Sequence, residues 1–307
     1  MTTDHFSRIK KAINELSQEQ SYKSVCHPHF KDHKMPSLSA LEQVVNLSRE
    51  ILFPGYYGDS SIRPDSVSYY IGVNTENLYT ILVDQIFAGL CFMCEMPEKF
   101  DLSERKSIAH DYASQFISKL PEIRRMLVTD VEAAFLGDPA AKSKGEVIFC
   151  YPAIRAITNY RIANALLTIG VPLIPRMISE MAHSETGIDI HPRATIGEYF
   201  SIDHGTGVVI GATSIIGNNV KLFQGVTLGA KSFPLDENGN PIKGIPRHPI
   251  IDDDVVIYAQ ATILGRITVG AGSVIGGNVW VTNSVAPKSK IIQFKPRDVL
   301  YTEGGGI

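Results

Sequence analysis

The sequence predicts an α + β-solenoid fold, in which an amino-terminal helical domain precedes a parallel β-helix of hexapeptide repeats. Apolar residues recur at helical spacing up to about residue 186, and aliphatic residues recur every six positions from Ile190. In addition, 18 of the 25 glycines fall at or after Gly187. We therefore expect a helical assembly domain over residues 1–186, a β-helix catalytic domain over 187–290 with a protruding loop at 231–247, and a tail over 291–307.

Apolar spacing and helix-ending residues define the helices of the first domain. Three helices follow from apolar groups at Phe6, Ile9, Ile13 and Leu16, at Leu38, Leu41, Val44, Val45 and Leu52, and at Leu78, Ile81, Leu82, Ile86 and Leu90. Further helices are predicted from Ser103 to about Lys119, from Pro121, from Pro152 to Gly170, and from Pro175 to His183. Gly137 to Tyr151 has turn-forming residues and no helical period, so a loop is expected there.

The period of six predicts the β-helix. A buried aliphatic residue at the start of each hexad, with small residues between, indicates three short strands per coil and tight corners. Neither a helix nor a simple alternating sheet produces this rhythm. The thirteen leading residues are Ile190, Ile196, Ile202, Ile210, Ile216, Leu222, Leu228, Ile251, Ile257, Ile263, Val269, Ile275 and Val281.

Two insertions interrupt the repeat. The step from Ile202 to Ile210 is eight residues, and the step from Leu228 to Ile251 is 23 residues. Binding surfaces of solenoids commonly lie at such insertions. Each insertion has a histidine beside a charged residue, in Asp203-His204 and in Arg247-His248. We therefore expect the functional site at the insertions.

Composition excludes several function classes. The formal charge is −3, and no long run of Lys or Arg is present, so neither nucleic acid nor an anionic membrane is an expected partner. The longest apolar stretch, from Leu78 to Cys94, is interrupted by Asp84 and Gln85, and the amino terminus has no signal-like apolar core. Four cysteines are too few for a disulfide scaffold. These features are typical of a soluble cytoplasmic protein.

Four motifs in this order resemble the serine O-acetyltransferase family of hexapeptide-repeat acyltransferases: DIHP from Asp189, IDHGTGVVIG from Ile202, QGVTLGA from Gln224 and PRHP from Pro246. The resemblance implies a left-handed β-helix and homotrimers with active sites between neighbouring coils. Trimers could pair into hexamers. It implies transfer of the acetyl group of acetyl-CoA to the hydroxyl of L-serine, which gives O-acetyl-L-serine for cysteine biosynthesis.

His204 is the candidate catalytic base. The serine hydroxyl has a very high pKa and must lose its proton as it attacks a thioester, and a histidine near neutrality can accept that proton. We expect Asp189 to accept a hydrogen bond from the other ring nitrogen and fix the tautomer. By resemblance, the transfer is direct. The β-helix contains no cysteine and no G-x-S-x-G elbow, which agrees with direct transfer.

Serine is a zwitterion, so its site needs groups of both charges. Arg247 and His248 suit the carboxylate, whereas Asp203 and Asp138 suit the ammonium group, so Asp203 and Arg247 are expected to act as a charge pair. The family uses residues of the same motifs for these roles, and the match of Asp138 in its DPA segment is the least close. For acetyl-CoA, the resemblance indicates backbone contacts at Ala230, Ala259 and Gly277. No metal ligand set is predicted.

Other interpretations of these residues remain open. His191 could bond its own turn, Asp189 could be a corner residue, and Arg247 with His248 could be loop surface. Cys91 and Cys94, with Cys26-His27-Pro28-His29, permit a zinc site, although core cysteines pack like small hydrophobes.

Three other functions also remain open. A hexapeptide acetyltransferase could act on a sugar or xenobiotic hydroxyl, and a zinc carbonic anhydrase on this solenoid would need three convergent histidines. A non-catalytic scaffold could bind a sulfhydrylase. The resemblance implies two ligands for control: L-cysteine as a feedback inhibitor in the serine site, and O-acetylserine sulfhydrylase bound through Ile307 after Gly304, Gly305 and Gly306.

Overall fold

The computed structural model describes residues 3–26, 35–93 and 101–293. Contacts divide the chain into two units. The first contains helices α1 (Thr3–Leu16) and α2 (Glu19–Tyr22), and the predicted apolar stripe from Phe6 to Leu16 is exposed on α1. The second contains the helical bundle and the whole solenoid, so the predicted boundary near residue 186 is a change of architecture within one unit.

Among the described residues, six helices build the bundle of the second unit. Ser37 caps the first of these helices, because its hydroxyl accepts a hydrogen bond from the Ala40 amide. The last helix of the bundle ends at Gly187, which has a φ of 70°. Within the described ranges, no helix is both long and apolar enough to cross a bilayer. The helices are α3 (Leu38–Leu52), α4 (Val67–Phe92), α5 (Leu102–Gly137), α6 (Lys144–Cys150), α7 (Pro152–Ile169) and α8 (Ile174–Thr186).

Three helix predictions were wrong. The break expected at Pro121 does not occur, because α5 is continuous and keeps buried residues on one stripe on both sides of Pro121, including Phe116, Leu120 and Ile123. Packing of that stripe outweighs the one backbone hydrogen bond that proline removes. Asp101, not Ser103, caps this helix. The loop expected between Gly137 and Tyr151 contains α6, whose cap is Ser143.

The solenoid prediction is confirmed: fourteen short strands form three parallel sheets, and all thirteen leading aliphatic residues are buried. Face 1 contains β1 (Asp189–Ile190), β4 (Val209–Ile210), β7 (Thr227–Gly229), β10 (Thr262–Leu264) and β13 (Trp280–Val281). Face 2 contains β2 (Thr195–Ile196), β5 (Ile215–Ile216), β8 (Ile250–Ile251) and β11 (Thr268–Val269). Face 3 contains β3 (Ser201–Asp203), β6 (Lys221–Phe223), β9 (Val256–Ile257), β12 (Val274–Ile275) and β14 (Lys290–Ile291).

The chain visits the faces in the order 1, 2, 3, so each coil has three edges. The register is regular, with Ile190 beside Ile210 on face 1 and Ile202 beside Leu222 on face 3. The second insertion leaves the coil between β7 and β8 as an exposed loop, which lies at the edge between faces 1 and 2.

A buried ion pair joins the helical bundle to the first coil. Arg161 of α7 donates from Nε and Nη2 to the two carboxylate oxygens of Asp130 of α5, at 2.6 and 2.8 Å. Arg161 also donates to the carbonyl of Gly197, and Asp130 accepts from the amide of Phe200. Burial raises the pKa of the Asp130 carboxyl, while Arg161 opposes that shift. The pair therefore fixes two helices against the solenoid.

Replacing Arg161 with Leu should destabilise the protein by about 3–5 kcal/mol, because it leaves the buried Asp130 carboxylate without its counter-charge. Urea unfolding followed by circular dichroism measures the change. Arg63→Leu is the control, since Arg63 makes only an exposed pair with Asp65 and its loss should change stability little. Equal stability of the two variants would contradict the assignment of the Arg161 pair as a structural link.

Candidate active site

The first insertion is a two-residue bulge consisting of His204 and Gly205. Asp203 stands beside Phe223 in the register of β3 and β6, and the amide of Gly225 bonds the carbonyl of Thr206, so the stack resumes at Thr206. Both bulge residues have positive φ, 57° for His204 and 101° for Gly205. A Cβ on Gly205 would lie 2.5 Å from Ile188, so glycine is required there.

The bulge places His204 on the edge between faces 3 and 1, with 75% of its side chain exposed. Its Nε2 lies 3.9 Å from Oδ1 of Asp203. The other oxygen of Asp203, Oδ2, lies 3.1 Å from the ammonium nitrogen of Lys221. We call this edge the acidic edge and define it by Asp138, Asp203 and His204.

Asp138 reaches the acidic edge from the end of α5. Its Oδ2 accepts a 2.5 Å hydrogen bond from the hydroxyl of Tyr151, and its Oδ1 accepts from the amide of Ala140. These bonds, first of all that from Tyr151, lower the pKa of the Asp138 carboxyl, and the same bond raises the pKa of Tyr151 to about 12. Asp138 is therefore ionised at neutral pH, and it lines one small cavity together with Tyr151, Asp203 and Lys221.

Asp189 begins face 1 beside the same edge, and its side chain lies near helix α8. Its carboxylate and the ligand atoms of Glu180 and His183 on α8 all lie within 4.8 Å of one another. No hydrogen bond joins Asp189 to His204 in the described part of the chain, so the expected dyad contact is not formed in this conformation. Acidic groups of this kind are common without a metal, so we assign no metal to them.

Arg247 and His248 lie at the edge between faces 1 and 2, which we call the basic edge. Thr213 fixes them, because its hydroxyl accepts from the amides of both residues and lies 2.8 Å from Nδ1 of His248. The Arg247 guanidinium lies 5.7 Å from the Phe233 ring, and its Nε has no hydrogen-bond partner in the described residues. A Cβ on Gly211 would overlap the His248 ring, so that position needs glycine.

His191 also lies at the basic edge and behaves as the turn alternative predicts: its Nδ1 accepts a hydrogen bond from the amide of Arg193. Burial, aided by nearby arginines, lowers the pKa of His191 to about 4. Burial and the charges of Arg247 and Arg266 lower the pKa of His248 to about 4. Both rings are therefore neutral at physiological pH.

The acidic edge and the basic edge lie at opposite ends of face 1. The acidic edge precedes β4 and the basic edge follows it, so the width of face 1 lies between them. Among the described residues, no hydrogen bond or ion pair joins Asp203 or His204 to Arg247 or His248. The expected pairing of Asp203 with Arg247 is therefore not formed within one chain, because the coil itself separates the two edges.

The residues expected to contact acetyl-CoA are also divided between the two edges of face 1. Ala259 and Gly277 stack at the edge between faces 3 and 1, where the amide of Asn278 bonds the carbonyl of Ala259 at 2.9 Å. A Cβ on Gly277 would lie 3.1 Å from that carbonyl, so the backbones approach closely. Ala230 follows β7 and therefore lies at the basic edge. One chain does not place the three residues together.

Several residues of the sequence predictions lie outside the described residues: Cys94, His27 to His29, and the tail from Gly304 to Ile307. Cys91 is buried within α4, as expected for a core cysteine.

Two residues of the acidic edge were missed by the sequence predictions, namely Tyr151 and Lys221. The sequence predicts that Tyr151 lies in a loop, which gives it no role in the site. For Lys221 a signal existed, because the hexad register places it one coil beyond Ser201 and therefore close to Asp203.

Comparison with known proteins adds independent information. No protein-family model matches the chain. A curated protein of Synechococcus elongatus named serine acetyltransferase, plasmid, is 49% identical over 277 residues, which cover 90% of this chain and 87% of that protein. The chain belongs to the serine acetyltransferase family. A serine acetyltransferase of Bacillus subtilis is 47% identical over 57% of this chain and 77% of that protein.

Solved structures of the serine acetyltransferase family share the fold. Isoform 3 of Entamoeba histolytica, in complex with cysteine, superposes with a TM-score of 0.71 at 33% identity and covers 92% of each chain. The enzyme of Neisseria gonorrhoeae in complex with serine gives a TM-score of 0.54 at 26% identity, covering 83% of this chain and 97% of that chain. The family resemblance and the fold class expected from the sequence are thus confirmed.

His191 and His248 should both be neutral at pH 6 and protonated on Nε2, because their pKa values lie near 4 and each Nδ1 accepts a hydrogen bond from a backbone amide. Long-range ¹H–¹⁵N correlation spectra of histidine-labelled protein report both the charge and the tautomer. His191→Gln and His248→Gln variants assign the two rings. Half-protonation of either ring at pH 6 would contradict the prediction.

Proposed function

We propose that this protein transfers the acetyl group of acetyl-CoA directly to the hydroxyl of L-serine, with His204 as general base and Asp189 as the residue that orients it. One observation carries the proposal: the break in the hexapeptide repeat projects a histidine beside two carboxylates that are held in place. Membership of the serine acetyltransferase family supports the reaction type.

Removal of the hydroxyl proton is the chemical task of His204. Its exposed ring can meet a substrate that approaches the acidic edge, and a positioned base of this kind contributes a factor of roughly 10²–10⁴ in rate. Asp189 is the first residue of β1, which follows the turn beneath the bulge. The amide of Asp189 donates a hydrogen bond to the carbonyl of Val208 at 2.9 Å. The proposed role requires the Asp189 carboxylate and the His204 imidazole to turn towards each other.

Recognition of serine requires both edges. Asp138 and Asp203 would bind the ammonium group, and Arg247 with His248 would bind the carboxylate. The guanidinium Nε of Arg247 has no hydrogen-bond partner among the described residues, which supports this role. A sugar hydroxyl would leave these charges without partners, so the charge pattern favours an amino-acid acceptor.

We propose that each complete site forms between two subunits of a homotrimer. Within one chain the acidic and basic edges bound face 1 from opposite ends, so a second copy must bring its basic edge to the acidic edge of the first. This contact is head-to-tail, and three such contacts can close into a ring. Ala259 and Gly277 of one copy and Ala230 of the next would then flank acetyl-CoA.

Further expectations extend this proposal. Inhibition by L-cysteine follows if its thiol replaces the serine hydroxyl, and the complex of the Entamoeba histolytica enzyme with cysteine supports that ligand class. Pairing of trimers into hexamers, binding of O-acetylserine sulfhydrylase through Ile307 and a cytoplasmic location remain proposals from the family resemblance. The small number of cysteines supports a reducing compartment.

Release of CoA thiol from acetyl-CoA should require L-serine, and His204→Ala should lower kcat by about 10²-fold or more with little effect on folding, because the bulge lies outside the aliphatic core. A thiol assay across L-serine, sugars and 3-hydroxypropionate measures the acceptor preference. His5→Ala is the matched control, since His5 lies on α1 in the other unit. Equal release with sugars, or full activity of His204→Ala, would overturn the proposal.

Mixing two inactive variants should restore activity if sites form between subunits. In a random trimer of His204→Ala and Arg247→Ala chains, about a quarter of the sites receive both wild-type edges. Co-refolding at equal amounts, followed by the thiol assay, measures the recovery. Refolding the double variant with itself is the control. Failure to recover activity in mixed trimers would indicate that each site uses both edges of one chain.

A further inference from the structure

Lys221 occupies the centre of the acidic edge, although no catalytic motif includes it. It is the first residue of β6, and 21% of its side chain is exposed. Three groups surround its ammonium nitrogen: the carbonyl of Gly137 at 2.6 Å, Oδ2 of Asp203 at 3.1 Å, and the Phe223 ring at 4.6 Å from its centroid. A lysine with these neighbours is held in one place.

The contact with Gly137 fixes the end of a helix. Gly137 is the last residue of α5, where carbonyl groups lack helical partners and a cation is favoured by the helix dipole. Asp138 is the next residue. By holding the Gly137 carbonyl, Lys221 therefore fixes the chain at the point from which Asp138 enters the site.

The contact with Asp203 fixes the second carboxylate. Because Oδ2 faces Lys221, Oδ1 is the oxygen that faces His204. With one lysine between two carboxylates, the formal charge of the group is −1, which matches one substrate ammonium group. A single side chain thus contacts Asp203 directly and the chain next to Asp138, and it reduces the net negative charge of the group.

We propose that Lys221 is a positioning residue of the serine site, which holds Asp138 and Asp203 in the arrangement that binds the ammonium group of the acceptor. The inference rests on the proposed function, in which these two carboxylates recognise serine. In this role Lys221 would contact neither the hydroxyl nor the thioester, so its loss should affect recognition of the acceptor more than recognition of acetyl-CoA.

Lys221→Met should raise the KM for L-serine by about tenfold and leave the KM for acetyl-CoA within about twofold, because binding of one substrate is lost selectively. Lys221→Arg keeps a cation and should recover part of the loss. Lys290→Met is the matched control, because Lys290 begins β14 on the same face and in the same register row but is exposed. Its kinetic constants should equal those of the wild type.

Two further measurements separate positioning from a general structural role. The preference of Lys221→Met for L-serine over 3-hydroxypropionate, which lacks the ammonium group, should fall by about tenfold. In an Asp203→Asn background, Lys221→Met should cost less than it does alone, because the two residues act together. Thermal unfolding confirms that each variant is folded.

The outcomes distinguish this inference from the proposed function. If wild-type protein releases no thiol with serine, the proposed function fails. If wild-type protein is active but Lys221→Met has an unchanged or lower KM for serine, the positioning role is wrong, and a lower KM would mean that Lys221 competes with the substrate ammonium group. If Lys221→Met does not fold, Lys221→Gln provides the same comparison, and an unchanged acceptor preference in Lys221→Gln overturns the inference.

Discussion

The shared aliphatic interior of the solenoid is the constraint on which the rest of the structure depends. Each of the first four coils contributes one buried aliphatic side chain from each face, and parallel stacking keeps successive leading residues in register. Such a column has no room for charge, because an unpaired buried charge is costly. The charged groups of the candidate site must therefore lie at the edges, where strands end and the chain can bulge without disturbing the column.

Two kinds of edge follow from this arrangement. The bulge at His204 adds residues between two strands that remain in register, so it changes the local surface and leaves the interior unchanged. The longer insertion leaves the coil after β7 and returns at β8, and its end brings Arg247 and His248 against Thr213. Because face 1 lies between these edges, opposite charges end up apart in one chain. In the proposed trimer, a second subunit would bring the opposite charges to the two ends of one zwitterionic ligand.

The solenoid could be predicted from the sequence because its rule is local: each leading residue is identified by its distance from the last. The bundle was harder. Pro121 is a strong local signal for a helix end, yet a continuous buried stripe overrides it, and α6 has too few residues for a visible period. In the site, His204 and Asp203 were found from the break in the repeat. Lys221 and Tyr151 were not, because their roles depend on contacts between α5, the segment after it and the second coil.

Backbone contacts place the His204 bulge next to the turn before Asp189, although the two side chains form no hydrogen bond in the described part of the chain. The amide of Gly207 bonds the carbonyl of Gly187, and Gly205 packs on Ile188, so the bulge lies directly over the turn that leads to Asp189. Helix α8 meanwhile places Glu180 and His183 beside the Asp189 carboxylate. An exposed histidine side chain changes rotamer at small cost, whereas a shift of the stacked backbone would break several hydrogen bonds. Catalytic hydrogen bonds are often long or misaligned before substrate binds. In the proposed mechanism, the fixed stack therefore sets the turn and the bulge from which the two side chains project, and the side chains make the remaining adjustment.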